Sequence, residues 1–303
     1  MSGKVLVVGS LNMDLVVKTA RHPKIGETIL GGRFATFPGG KGANQAVAAA
    51  RLGATVKMIG RVGKDAFGDE LLNNAKKDGI DTSQVKFDDQ EATGIALITV
   101  DEEGRNTIVV ASGANFGLTS QDVHEASDSF NAADVLVTQL ENPMESIEAS
   151  INLAAKNGMR VVLNPAPAQQ LDGNLLSKID FLIPNEHEVL QVVGATDLES
   201  AIDQLFELGV KNLIITMGEK GVMAITSTNR LHVPAYHVKA IDTVAAGDAF
   251  VGAFSAGLAE GMSTETAIRF GNAAAAISVT RPGAQPSLPT RREVDLFIAK
   301  NQN

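Results

Sequence analysis

The chain is 303 residues long, 44% apolar and 20% charged, the profile of one large globular domain with a sizeable core. Its net charge of −9 argues against non-specific binding to nucleic acid or an acidic membrane, and no apolar run is long enough to span a bilayer. It has no cysteine, which removes disulfides, thiolate zinc sites and a cysteine nucleophile together and fits a reducing, cytoplasmic setting.

Residues 5–9 form a short apolar run closed by glycine, as in a strand buried on both faces. Residues 15–17 and 27–37 alternate and predict extended, partly exposed strands. Gly39-Gly40-Lys41-Gly42 then opens an alanine-rich helix that runs to about residue 52, where Gly53 stops it. A strand at 56–59 and a helix at 66–77 follow, and 93–100 with 107–111 predict a hairpin across the polar turn Asp101-Glu102-Glu103-Gly104. Beyond Leu118 the rhythm is regular: a helix, strand 134–138, helix 144–156, strands 160–164 and 180–183, then helices 186–193 and 199–208. Strand 212–217, a hairpin near 222–233 and helices 246–260, 264–279 and 290–299 complete the chain.

This alternation predicts an α/β fold with a mainly parallel sheet covered on both faces, three layers in one domain over 1–303. The two β-only insertions, 14–36 and 93–111, predict a small second sheet that projects from the core and suits a lid.

Two nucleotide-binding lookalikes fail. Gly9 is followed by Ser-Leu-Asn-Met-Asp rather than a dinucleotide fingerprint, and neither Gly40-Lys41 nor Gly63-Lys64 is followed by the Ser or Thr of a P-loop. The histidines His22, His124, His187, His232 and His237 have no i,i+4 zinc spacing and read as non-ligands.

The most informative stretch is 242–250, Asp-Thr-Val-Ala-Ala-Gly-Asp-Ala-Phe. Small residues open a helix whose bare N–H groups and positive dipole end collect phosphate, and Ala245, Ala246 and Gly247 leave that end open. Asp248, in the first turn, is placed to take a proton from a hydroxyl attacking a phosphoryl group. The same residues also read as a plain helix start capped by Asp242 or Thr243.

Several companions fall at the carboxyl ends of strands, where open α/β sheets place ligands. Asn12 and Asp14 suit a pair of sugar hydroxyls, or are a turn Asn and an exposed Asp. The 39–44 loop lets backbone approach a ligand and adds Lys41 and Asn44, while Glu141 and the 164–167 run Asn-Pro-Ala-Pro follow later strands. Asn185 and Glu188 can help hold a metal–phosphate or form a simple capping box. Thr216-Met217-Gly218-Glu219-Lys220-Gly221 can cradle a nucleotide phosphate or enter a hairpin.

These motifs, with the 9–14 run, Gln45-Ala46-Val47 and the 280–287 tail Thr-Arg-Pro-Gly-Ala-Gln-Pro-Ser, resemble the ribokinase-like, phosphofructokinase-B-type family of carbohydrate kinases over nearly the whole chain. The resemblance implies a sheet core with a small β lid, the lid often a homodimer interface. It also implies transfer of the ATP γ-phosphoryl to O5 of D-ribose, giving ribose 5-phosphate and ADP. Carried over residue by residue, it makes Asp248 the base and the N–H groups of Ala245, Ala246, Gly247 and Asp248 the anion hole. Asn12, Asp14, Gly40, Lys41, Asn44 and Glu141 would bind sugar. Asn185, Thr216, Gly218, Glu219, Gly221 and Gly247 would bind nucleotide, with Asn272 near adenine, and Glu188 would act through Mg²⁺ and water. A monovalent cation, usually K⁺, would sit on oxygens of Asp242, Val244, Ser278, Arg281, Gly283 and Ser287. Ala249 and Asn272 stand where threonine and histidine are frequent in such kinases, which implies small changes in nucleotide affinity. Sibling substrates, 2-deoxyribose, fructose or a nucleoside, and an inactive sugar- or nucleotide-binding sensor remain the alternatives. The Asn12–Asp14 pair favours vicinal hydroxyls.

Overall fold

The structure is a computed structural model and describes residues 2–301. Its strands are β1 (Lys4–Val8), β2 (Asn12–Lys18), β3 (Phe34–Gly39), β4 (Thr55–Gly63), β5 (Asp81–Asp88), β6 (Gly94–Val100), β7 (Asn106–Ala111), β8 (Val135–Thr138), β9 (Arg160–Leu163), β10 (Phe181–Leu182), β11 (Leu213–Thr216), β12 (Val222–Ile225) and β13 (Arg230–Val233). Its helices are α1 (Lys41–Arg51), α2 (Ala66–Lys77), α3 (Ser120–Glu125), α4 (Asp128–Asn131), α5 (Met144–Lys156), α6 (Gly173–Leu176), α7 (Glu188–Val193), α8 (Leu198–Glu207), α9 (Ala246–Ala259), α10 (Thr264–Ser278) and α11 (Arg291–Lys300).

Nine strands form one sheet in the order β13-β12-β11-β10-β9-β8-β1-β4-β5, parallel from β5 through β11 and antiparallel at β12 and β13. Side chains alternate across it: Val5 and Val7 of β1 enter a core shared with α1, α9 and α10, while Leu6 and Val8 enter a second core beneath α3, α5, α7 and α8. Continuous apolar runs therefore mark the central strands, since both faces are covered. Full burial of each such Val or Leu contributes about 1.5–3 kcal/mol.

The second sheet, β3-β2-β6-β7, draws its strands from both β-only segments. Residues 27–33 form no strand. The Gly32 N–H returns to Lys18 O at 2.7 Å, so pairing begins only at this glycine pair, and Leu30 before it is exposed. Conversely, β5 was not expected. It is the edge strand beside β4, its polar residues Asp81, Gln84 and Lys86 hide the apolar alternation, and only Thr82, Val85 and Asp88 are buried.

Helix α9 is buried from Asp248 to Leu258 and packs between α1 and α10. Gly252 permits this: a Cβ there would stand 2.6 Å from Gln45 O. The close approach places the N-terminus of α9 beside α1.

Candidate active site

Asn12 and Asp14 lie two residues apart on β2 and so share a face, with Asp14 in register with Ala96 of β6 and Ala96 with Val110 of β7. Gly40 brings α1 up to them. Its φ of 87° is left-handed, and a Cβ would stand 2.7 Å from Asn12 N, so a side chain is excluded on both counts. Asn12, Asp14, Gly40, Lys41, Asn44, Glu141 and Asp248 together line a cavity of about 540 Å³, roofed by Ile98, Ile108 and Val110 of the second sheet.

The polar walls are held by partners outside the cavity. Asn115, 1% exposed, accepts from Leu11 N at 2.9 Å and donates to Leu11 O at 3.0 Å and to Asn12 Oδ1 at 2.8 Å, which leaves the Asn12 NH₂ as its free donor. Ser10 Oγ donates to Glu141 Oε2, which also accepts from Lys41 N at 3.2 Å. Asp14 is buried, and among the described residues no protein group hydrogen-bonds its carboxylate. Burial first, and then the charges of Glu141 and Asp248, push its pKa up to about 7. Lys41 moves upward too: burial opposes its charge, but Asp248, Glu141 and Glu188 outweigh that.

Asp248 sits in the first turn of α9, buried at 7% exposure. Its Oδ2 accepts from Asn44 Nδ2 at 2.9 Å and its Oδ1 from Gln45 Nε2 at 2.9 Å. Asn44 Oδ1 is buried without a partner among the described residues. The turn before α9 is tight: Ala245 has φ 60°, the only non-glycine positive φ among the described residues, a conformation that costs about 1–2 kcal/mol. The Ala246 N–H turns to Thr243 O at a long 3.3 Å, and Gly247 faces open space.

A second cavity, of about 470 Å³, is lined by Thr216, Gly218, Glu219, Gly221, Ala246, Gly247 and Asn272, with Tyr236, Val238 and Phe250 as apolar walls. Asn272 donates to Val233 O at 3.4 Å and Pro234 O at 3.1 Å and so pins the 233–234 wall to α10. A recess of about 220 Å³, lined by Lys41, Asn185, Glu188, Thr216, Gly247 and Asp248, lies between the two. Asn185 and Glu188 do form a capping box: Asn185 Oδ1 accepts from Glu188 N at 2.9 Å and Glu188 Oε2 from Asn185 N at 2.8 Å. Burial raises the Glu188 pKa, while the Asn185 N–H and Lys41 pull it down. Thr243 lines all three spaces.

The loop before α9 is tied to the segment after α10. Asp242 accepts from Val244 N at 3.0 Å and Gly283 N at 2.9 Å, Ser278 Oγ meets Ser287 Oγ at 2.7 Å, and Arg281 N donates to Ser278 O at 3.0 Å. These bonds make two sets, Asp242 with Val244 and Gly283 and Ser278 with Arg281 and Ser287, which meet where Asp242 N donates to Val279 O at 3.2 Å. Among the described residues no group of three or more His, Cys, Asp and Glu could hold a metal ion. The donors gathered here are hydroxyls, carbonyls and one carboxylate, a hard-oxygen set that suits an alkali cation.

The sequence reading gave no role to Ser10, Gln45, Gln139 or Asn115. Ser10 and Gln45 stand inside recognisable motifs, which was signal enough to question them. Nothing in the spacing marks Asn115, whose partners lie across 103 and 104 residues.

The chain matches the model of the pfkB family carbohydrate kinases over residues 2–291. It is 45% identical to a ribokinase of Haemophilus influenzae over 297 residues, 96% of this chain and 97% of that protein. It is 37% identical to a deoxyribokinase of Salmonella typhi, covering 98% and 99% of the two chains. Its fold is similar to that of an Arabidopsis thaliana ribokinase complexed with ribose and ATP, with a TM-score of 0.90, 31% identity, and 98% and 99% of the chains covered.

Proposed function

The chain belongs to the pfkB family of carbohydrate kinases, and we propose that it transfers the γ-phosphoryl of ATP to O5 of D-ribose. One observation carries the reading. A buried carboxylate, Asp248, stands at the open N-terminus of α9 and lines both the first cavity and the recess that lies between it and the second.

Ribose enters the first cavity. The Asn12 NH₂ and the Asp14 carboxylate take adjacent hydroxyls, and the orphaned Asn44 Oδ1 accepts a third. Lys41 and Glu141 complete the wall. The nucleotide lies along Thr216, Gly218, Glu219 and Gly221, its base against the apolar side near Asn272. Asp248 takes the proton from the attacking hydroxyl, its two amide partners holding it in line. Charge on the transferring group is met by the Gly247 and Asp248 N–H groups, joined by Ala245 and by Ala246 once its long bond to Thr243 gives way. Glu188 and Asn185 face the recess where a Mg²⁺-bearing phosphate passes. Mg²⁺ would neutralise phosphate charge there, and oxygens of Asp242, Val244, Ser278, Arg281, Gly283 and Ser287 would hold K⁺, which would supply positive potential to the anion hole.

The second sheet acts as the lid that excludes water. Leu97 and Val109 pair on its outer face and are 49% and 67% exposed, a surface that fits a second copy of the chain. Among the described residues no helix is long and apolar enough to cross a membrane.

Purified protein should release ADP only when ribose is added. Turnover with another sugar and not ribose reassigns the substrate. The Salmonella typhi relative motivates 2-deoxyribose as the second arm of that assay, and the Asn12–Asp14 pair predicts ribose to be the better substrate.

A further inference from the structure

Behind Asp248 lies a buried run of side-chain amides whose orientation is forced from one end. Asn164 Nδ2 donates to Ile183 O at 2.9 Å, and a carbonyl can only accept, so Asn164 Oδ1 faces inward. Gln45 must then turn its NH₂ toward two acceptors, Asn164 Oδ1 at 3.1 Å and Asp248 Oδ1 at 2.9 Å. Its own Oε1 is left to accept, and Gln139 Nε2 donates to it at 2.6 Å. Gln45 and Gln139 are each 1% exposed, so water offers no alternative partner. The close approach of α9 at Gly252 sets the Gln45 backbone directly against α9.

We infer that Gln45 is a positioning residue for the phosphoryl-transfer base: its amide, held donor-side inward by Asn164 and Gln139, fixes the rotation of the Asp248 carboxylate. This rests on the kinase reading above. A flipped Gln45 would set Oε1 against the carboxylate and leave Asn44 as its one side-chain donor. The other charged groups around Asp248 are Lys41 on α1, Asp14 on β2 and Glu188 on α7, with Glu141 after β8 beside the same cavity; none is altered by changing Gln45.

The test is steady-state kinetics on the full chain with Gln45→Leu, Gln45→Glu and Gln139→Leu. Gln45→Leu removes one hydrogen bond to a charged group, so kcat should fall by roughly 10- to 100-fold while KM for ribose stays within about threefold. Gln45→Glu keeps size and removes the donor at neutral pH, so it should lose at least as much. Gln139 reaches Asp248 only through Gln45, so Gln139→Leu should lower kcat in the same direction by about two- to tenfold with KM for ribose unchanged. Should Gln45→Leu fail to fold, the split between kcat and KM in Gln139→Leu decides. Near-normal kcat in Gln45→Leu, or full neutral-pH activity in Gln45→Glu, overturns the inference alone. Absence of ribose-dependent turnover in the unsubstituted protein removes the kinase reading and the inference with it.

Discussion

Of the two cavities, the one proposed for sugar carries, beneath its apolar roof, polar groups already tied to one another, Asn12 to Asn115, Glu141 to Ser10, Asp248 to Asn44 and Gln45. The nucleotide side is walled by glycines, by apolar faces of α9 and α10, and by residues 234–245, which form neither helix nor strand. Polar walls fixed in this way discriminate, because a missing or misplaced hydroxyl strands a buried partner. Apolar walls on an irregular segment give area with little angular demand. The sugar side should therefore fail steeply when altered and the nucleotide side gradually.

The steepest failure belongs to the shared residue. Asp248→Asn should lower kcat by about 10²- to 10⁴-fold, the usual worth of a general base, while ribose binding measured by calorimetry survives. Retained turnover would remove Asp248 as the base.

Asp14→Asn sharpens the contrast because it separates binding from stability. Losing a charged hydrogen bond should raise KM for ribose by roughly 10- to 100-fold, with KM for ATP little changed. Stability should move the other way. The Asp14 pKa is raised from 3.8 to about 7 in the fold, so the native chain binds more protons than the unfolded chain between those values. Its contribution is fully present below about pH 4 and is lost as pH climbs through about 7. The ligand-free Asp14→Asn protein should therefore melt a few degrees above the parent at pH 8, an advantage that fades toward pH 4. A lower melting temperature at pH 8 would mean that the carboxylate is stabilised by a partner in the empty site.

The same division governs what could be read before the fold. The central strands were legible because burial on both faces leaves an apolar run at β1, β9 and β11. Edge strand β5 was not, since solvent on one side lets Asp81 and Lys86 interrupt the pattern. Asp248 and the glycines beside Lys41 announce themselves locally, through the chemistry of a helix start. Gln45 acts on Asp248 across 203 residues and Asn115 on Asn12 across 103, so their roles exist only once the chain is closed. The nucleotide side was readable mainly as glycine-marked strand ends, Thr216 to Gly221. Its apolar wall at Tyr236 and Val238 carries no motif.

Smaller effects follow from the loop that serves both cavities. Asp242 ties Val244 and Gly283 together just before Ala245 takes its strained turn, so a cation on that cluster would tune the anion hole. Replacing potassium by sodium at constant ionic strength should lower kcat roughly fivefold or more, with both KM values moving less. Equal rates in the two salts would dispose of that site.

The smallest change should come from the nucleotide wall itself. Asn272 contributes through neutral bonds to Val233 O and Pro234 O, each worth about 0.5–1.5 kcal/mol, and the first is long. Asn272→Ala should loosen the 233–234 segment and raise KM for ATP by about two- to tenfold, leaving kcat and KM for ribose within about twofold. A large loss of kcat in that variant would show that the nucleotide wall sets the phosphate position as strictly as the sugar wall sets the hydroxyl, and the contrast between the two cavities would fail.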